Sequence, residues 1–176
     1  MGSGGVKRKT IDDFKRPLFF EDFAELKPFH TKWVTVSPET VMQFAFLTGD
    51  ENKLHVSDEF AKTTILGKRV AHGRLVVDLL FGILHEMRFW NGSLEALLGV
   101  RERFFAPVCL GGMIRYWISI KAIRVSAKYS HAGVVTFRYF VEKNNEGTVS
   151  NTNVSSGEFE VLVRRRQCSA EEPRQS

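Results

Sequence analysis

The chain has 176 residues, so a single domain is the default, and that length buries a full core without disulfide staples. Its hydrophobic fraction is 43%, including fifteen Phe, and no uncharged apolar run approaches the roughly eighteen residues that a membrane span needs. The net charge of +5 sits at the two ends, since residues 1–16 carry five bases against two acids and residues 164–176 four against two, which leaves residues 17–163 neutral. A nucleic-acid-binding domain carries its basic footprint on a folded face, so no nucleic-acid partner is expected.

Residues 1–16 are polar and basic, with Lys7, Arg8, Lys9, Lys15 and Arg16, and read as a flexible tail. No apolar segment follows those bases, so a secretory signal is not expected. Phe19, Phe20 and Phe23 supply aromatic anchors, and the folded domain is expected over 17–165, with 166–176 a second flexible tail. Trp33-Val34-Thr35-Val36 predicts a short strand. Ser37, Pro38 and Glu39 form a helix start: a capping hydroxyl, a proline at the first helical position and an early acid. Val41, Phe44, Ala45 and Thr48 give that helix one face, and Gly49 ends it.

Asp50 to Leu54 reads as a loop or extended segment. Ser57-Asp58-Glu59 opens a second short helix, over 58–64, and Asp58 suits its first turn. The longest helix is expected from Gly73 to about Arg88. Leu75, Leu79, Ile83 and Met87 recur at i+4 beside Val76, Leu80 and Leu84, and so apolar a helix should be buried. Asp78 inside it needs a polar partner, which a subunit interface could supply.

The rest alternates. Residues 95–105 run to Phe104-Phe105 and stop at Pro107. Ile114, Tyr116, Ile118 and Ile120 form one half-buried strand face, and Val135, Phe137, Tyr139 and Val141 another. Residues 144–147 read as a turn. Phe159, Val161 and Val163 mark the last strand, with Gly157 a candidate bulge. The fold class is α+β, an antiparallel sheet wrapped around one long central helix. Cys109 and Cys168 are far apart and lack any metal-ligand spacing, which points to a reducing compartment, the cytoplasm; Cys109 reads as a small core or interface residue.

The chemistry concentrates in Gly49-Asp50-Glu51-Asn52-Lys53-Leu54-His55 and in His72-Gly73, seventeen residues on. An adjacent carboxylate and imidazole can hold a water and move its protons. A glycine at a helix start leaves backbone N–H groups open to a developing negative charge. Together these residues point to acid–base chemistry on a carbonyl compound. A metal is the competing reading for Asp50, His55, Asp58 and His72, but there is no EF-hand glycine or terminal glutamate and no HExxH, so no metal and no cofactor are expected.

The stretch from Phe44 to Asp58 resembles the hydratase motif of the MaoC-like dehydratases, the (R)-specific enoyl-CoA hydratases of the hot-dog fold. Thr48, Gly49, Asp50, Asn52, Leu54, His55 and Asp58 carry the pattern, with Lys53 where the family has proline. Ala61, Thr64 and Val70-Ala71-His72-Gly73-Arg74-Leu75 continue it, with Arg74 in place of an apolar residue. Phe104-Phe105-Ala106-Pro107-Val108 to Gly111-Gly112 is similar to a further family segment, with Gly112 replacing an acid. The resemblance covers about residues 18–165.

It implies reversible addition of water to a trans-2-enoyl thioester of CoA or acyl carrier protein. Asp50 and His55 would share the water and the Gly73 N–H would hold the thioester oxygen. Asn52 is expected to brace the segment or the water. His72 is expected to be hydrogen-bonded near the helix start, with substrate contact the alternative. Lys53 should loosen the loop that sets Asp50 against His55. Arg74 is either a contact to an acidic acyl group or CoA phosphate, or a partner of a neighbouring acid. The family also implies a homodimer with the site at the subunit boundary. A thioesterase on the same fold, or a binding or dimerisation module whose catalysis has lapsed, are the alternatives.

Overall fold

The computed structural model describes residues 16–144 and 151–166. Residues 1–15 of the expected tail over 1–16, residues 167–176 of the one over 166–176, with Cys168, and the turn residues 145–147 lie outside the described residues. A 3-10 helix, Phe20–Glu25, is followed by the short strands β1 (Phe29–His30) and β2 (Val34–Thr35). Three helices follow: α1 (Pro38–Thr48), α2 (Lys53–Val56) and α3 (Asp58–Lys62). Then come the central helix α4 (Gly73–Glu86) and four long strands: β3 (Leu94–Phe104), β4 (Met113–Val125), β5 (Ala132–Asn144) and β6 (Asn151–Arg164). The sheet is antiparallel in the order β1-β4-β5-β6-β3, with β2 also on β4. No described helix is long and apolar enough to cross a membrane.

The sheet curls around α4. Leu75, Val76, Val77, Leu80, Ile83 and Leu84 are buried against its inner face. Tyr116 locks the two layers together, its hydroxyl donating to the Val76 carbonyl at 2.5 Å. Phe23, Phe29, Phe89, Trp90, Phe137 and Phe159 fill one end in edge-on and stacked pairs 4.7–6.2 Å apart. Helix α4 is buried on most sides, as its apolar residues predict, and Arg74, Asp78, Gly82 and Glu86 form an exposed stripe at i+4 spacing. Asp78 finds its polar partner on that stripe, in Arg74 at 2.9 Å, without a second subunit.

The charged ends of the domain are clasped. Asp22 accepts from Arg16, from the Phe19 N–H and from Arg166, while Arg165 and Arg164 pair with Glu21 and Glu95. These described arginines are thus ion-paired where the sequence suggested solvated ends. Burial opposes ionisation of Asp22, but the Arg16, Phe19 and Arg166 bonds prevail and hold its carboxyl down to about 2.

Gly157 is not a bulge. It stays in register with both Glu102 and Tyr139, and the sheet's irregularities fall elsewhere, near Ala96, Gly99, Ala122 and Glu142. The glycine is needed for a different reason: a Cβ there would lie 2.4 Å from the Arg101 carbonyl oxygen, 2.5 Å from Glu102 Oε2 and 2.8 Å from the Tyr139 hydroxyl.

Candidate active site

Local sequence builds the loop that carries Asp50 and His55. Ser37 caps α1, its Oγ accepting from the Thr40 N–H, and Gly49 closes the helix in the left-handed region at φ 76°. The Asp50 carboxylate then accepts weakly from the Asn52 N–H at 3.4 Å. Asn52 does brace the segment: its Oδ1 accepts from the Leu54 N–H at 3.0 Å and caps α2, which forms where a loop was expected. Lys53 is the first residue of that helix. A proline suits this position because its missing N–H would have no helical acceptor, so lysine keeps the geometry and gives up only pre-organisation. Asp58 begins α3 and pairs with Arg69 at 2.8 Å.

Tertiary contacts then orient the imidazoles. His55 Nδ1 lies 2.8 Å from the Val70 carbonyl. A carbonyl only accepts, so Nδ1 carries a hydrogen, and in the neutral imidazole Nε2 is the nitrogen with the lone pair. His72 is buried, and its Nε2–H donates to the Asp50 carbonyl at 2.8 Å, tying the loop of Asp50 and His55 to the start of α4. That is the helix-start hydrogen bond expected of it. Its Nδ1 is buried with no hydrogen-bond partner among the described residues.

One ligand-type atom from each of Asp50, His55 and His72 lies within 4.8 Å of the others. The two imidazole rings face each other at 3.9 Å with a 32° tilt. Each has one nitrogen on a backbone carbonyl. The cluster is of a size to hold a water: two acceptors up to 4.8 Å apart can share one molecule through hydrogen bonds of about 2.8 Å each.

The group opens into a cleft of about 510 Å³ lined also by Gly73, Arg74, Val76, Val108, Val154 and the 104–107 segment. Gly73 is the first residue of α4, and no side chain caps that end. Its N–H therefore has no helical acceptor and lies at the positive end of the dipole. The Phe104 ring lies over Gly73, so close that a Cβ on residue 73 would come within 2.8 Å of it.

Arg74 lines the cleft with its guanidinium held by Asp78. Gly112, the other departure, has an equally local cause: a Cβ there would meet the Cys109 carbonyl at 2.9 Å. Cys109 is half-buried, and its neighbour Val108 receives the Ala71 N–H, which seats the 107–112 segment beside the cleft.

Sequence reading missed Glu102. This half-buried carboxyl on β3 accepts from the Tyr139 hydroxyl and lies beside the buried Ser155 hydroxyl. Burial raises it to about 7, against smaller lowering effects of Ser155 and Arg74. The signal was present: Val100, Glu102 and Phe104 share one alternating phase, so an acid interrupts an apolar face.

The fold and the site define a class. Residues 21–155 match the model of the MaoC like domain, and the chain belongs to that family. It is 34% identical over 112 residues to 3-hydroxyacyl-thioester dehydratase Z of Mycobacterium tuberculosis, covering 59% of this chain and 74% of that one. It is 27% identical over 129 residues to the (R)-specific enoyl-CoA hydratase of Rhodospirillum rubrum, covering 73% and 81%. Among solved structures, an Archaeoglobus protein described as a monoamine oxidase regulatory protein superposes with TM-score 0.76 at 27% identity, over 87% of this chain and 98% of that one. A Mycobacterium tuberculosis protein described as a double hot-dog fold superposes at 0.66 with 18% identity, over 87% of this chain and 43% of that one. The sheet wrapped on α4 is a hot-dog fold.

Proposed function

We propose that the protein is an (R)-specific enoyl-thioester hydratase, which in reverse dehydrates a 3-hydroxyacyl thioester. The observation that carries this is the His55 Nδ1–Val70 bond. It leaves Nε2 as the ring nitrogen available to a substrate water, in the cleft that Asp50 and the start of α4 also line. Water donates one hydrogen to each of Asp50 and His55. As its oxygen bonds to C3 of the trans-2-enoyl thioester, the pair takes one proton and the C2=C3 electrons move toward the thioester oxygen. The Gly73 N–H holds that enolate-like oxygen, a donor of a kind worth ~3–4 kcal/mol in other enzymes. The pair then returns a proton to C2, so one water is added in total and no cofactor enters.

The names of the relatives support an acyl thioester as substrate, with CoA the carrier named. Arg74 is assigned to the carrier end, where a CoA phosphate would share it with Asp78. A second copy of the chain is the expected partner. Edge strand β3 exposes Leu94, Leu97, Leu98 and Phe104, and the polar stripe of α4 lies open. Light scattering of the purified protein at twice the chain mass would support the dimer. A cytoplasmic site of action fits this chemistry.

The test is incubation with crotonyl-CoA, following loss of the conjugated enoyl absorbance and the stereochemistry of the product. An (R)-3-hydroxybutyryl product whose formation falls by about a thousandfold or more in Asp50→Asn supports the reading. Release of free CoA would identify a thioesterase instead, and acyl-CoA binding without turnover a lapsed enzyme.

A further inference from the structure

Four consecutive residues hold the site. The Val70 carbonyl accepts from His55, the Ala71 N–H donates to the Val108 carbonyl at 2.8 Å, His72 donates to the Asp50 carbonyl, and Gly73 opens α4. Ala71 thereby fastens the segment to the loop after β3, while Val70 and His72 on either side of it hold the two members of the acid–base pair. His72 is the residue that touches both. Its Nε2 lies 2.8 Å from the Asp50 backbone, and its ring faces that of His55 with centroids 3.9 Å apart. Phe44 of α1 packs on the same imidazole at 5.0 Å. At 2% exposure, the His72 ring cannot change rotamer without disturbing these neighbours.

These contacts also fix the hydrogens. Both acceptors are carbonyls, so as neutral rings the two histidines are opposite tautomers: Nδ1–H on His55 and Nε2–H on His72. The other nitrogen of His72, Nδ1, is buried and makes no hydrogen bond among the described residues, so a second hydrogen there would find no acceptor. His55 is less buried and lines the cleft together with Asp50. The proton taken from water therefore goes to that pair and not to His72. A cation against the face of a neutral aromatic ring is attracted to it, and the imidazolium that His55 becomes lies against such a face.

We infer that His72 is a positioning residue for the hydration: its Nε2–H and its uncharged ring hold Asp50 and His55 in one arrangement relative to the adjacent Gly73 N–H, and the ring supports the imidazolium formed on His55. The inference rests on the hydratase reading for the roles of Asp50, His55 and Gly73. It makes His72 a residue that acts through its neighbours and not by touching substrate. Its importance lies in geometry, since a misplacement of about 1 Å between reacting groups costs about a hundredfold in rate.

The experiment pairs kinetics with NMR. His72→Gln puts an amide donor close to where Nε2 stands but removes the ring; His72→Phe keeps a ring and removes the donor. With crotonyl-CoA, kcat should fall about tenfold in His72→Gln and about a hundredfold in His72→Phe, with KM within about threefold of wild type in both. Long-range proton–nitrogen correlation spectra of the 15N-labelled wild-type protein at about pH 8 should show Nδ1–H on His55 and Nε2–H on His72, the two assigned by their loss in His55→Gln and His72→Gln. Either ring in the other tautomer overturns the inference, and this result needs no folded variant for its reading of the tautomer pair. A raised KM with kcat retained would make His72 a substrate contact and also overturns it, as do variants that keep the wild-type rate. A wild type that hydrates nothing sinks the hydratase reading and this role with it, whereas an active wild type with fully active variants sinks the role of His72 alone.

Discussion

Replacing Glu102 with Gln should make the protein more stable, and only above a definable pH. The side chain sits between Tyr139, whose hydroxyl it accepts, and Ser155, with Arg74 acting on it from α4; its charge in turn is felt by Tyr116, as is that of Asp78. Burial lifts its carboxyl from 4.5 to about 7. The unfolded chain therefore ionises first, and between those values the folded state binds more protons. Folding stability then falls as pH rises through this window, and the loss is complete above about 7.

A shift of that size on a fully buried group would correspond to ~3 kcal/mol. Glu102 is only half-buried, so solvent screening leaves about 1–2 kcal/mol. Gln keeps an oxygen for Tyr139 and turns an amide toward Ser155 without a charge. Urea denaturation near pH 8 should show Glu102→Gln more stable by about 1–2 kcal/mol, and near pH 4 the two proteins should unfold together. An equal gain at both pH values would mean that the effect is packing, and the burial argument would be wrong.

Gly73→Ala should separate catalysis from folding. The added methyl would sit 2.8 Å from the Phe104 ring, but that ring is half-exposed and can move, and Ala favours the helix by up to ~1 kcal/mol. The melting temperature should stay within about 3 °C while kcat on crotonyl-CoA falls about a hundredfold, because alanine keeps the N–H but its methyl displaces the thioester from it; a rate within threefold of wild type would show that the thioester does not approach the backbone at residue 73. Arg74→Met should raise KM for crotonyl-CoA about three- to tenfold and leave KM for a crotonyl thioester lacking the CoA nucleotide unchanged, because an exposed phosphate contact is worth ~1 kcal/mol. Equal effects on both would show that the guanidinium serves only Asp78. Asp22→Asn should lower stability at neutral pH by releasing Arg16 and Arg166. Because the folded carboxyl titrates at about 2, below its ordinary 3.8, the gap should shrink as pH falls from 3.8 toward 2; urea midpoints with a gap independent of pH would contradict the clasp.

The sequence by itself determined everything that is local. Ser37 and Pro38 start α1 and Gly49 stops it because capping and left-handed backbone are decided within a few residues. Period 3.6 over Gly73–Glu86 and period 2 over β4–β6 follow from which side chains must leave water. The spacing of Asp50, His55 and His72-Gly73 marked the chemistry for the same reason: the loop and the helix start are short-range structures.

Tertiary structure decided what depends on residues distant in the chain. The proton on His55 is placed by the carbonyl of Val70, and the loop is anchored by His72 reaching back to Asp50. Lys53 looked like a disruption until Asn52 was seen capping the turn that it begins. Gly157 read as a bulge because one strand does not reveal that Glu102 and Tyr139, 37 residues apart, close over it from either side. Asp78 needed a partner that periodicity could not choose between Arg74 and a second subunit. Such pairings are set by strand register and helix–sheet packing, which bring together side chains that share no local pattern.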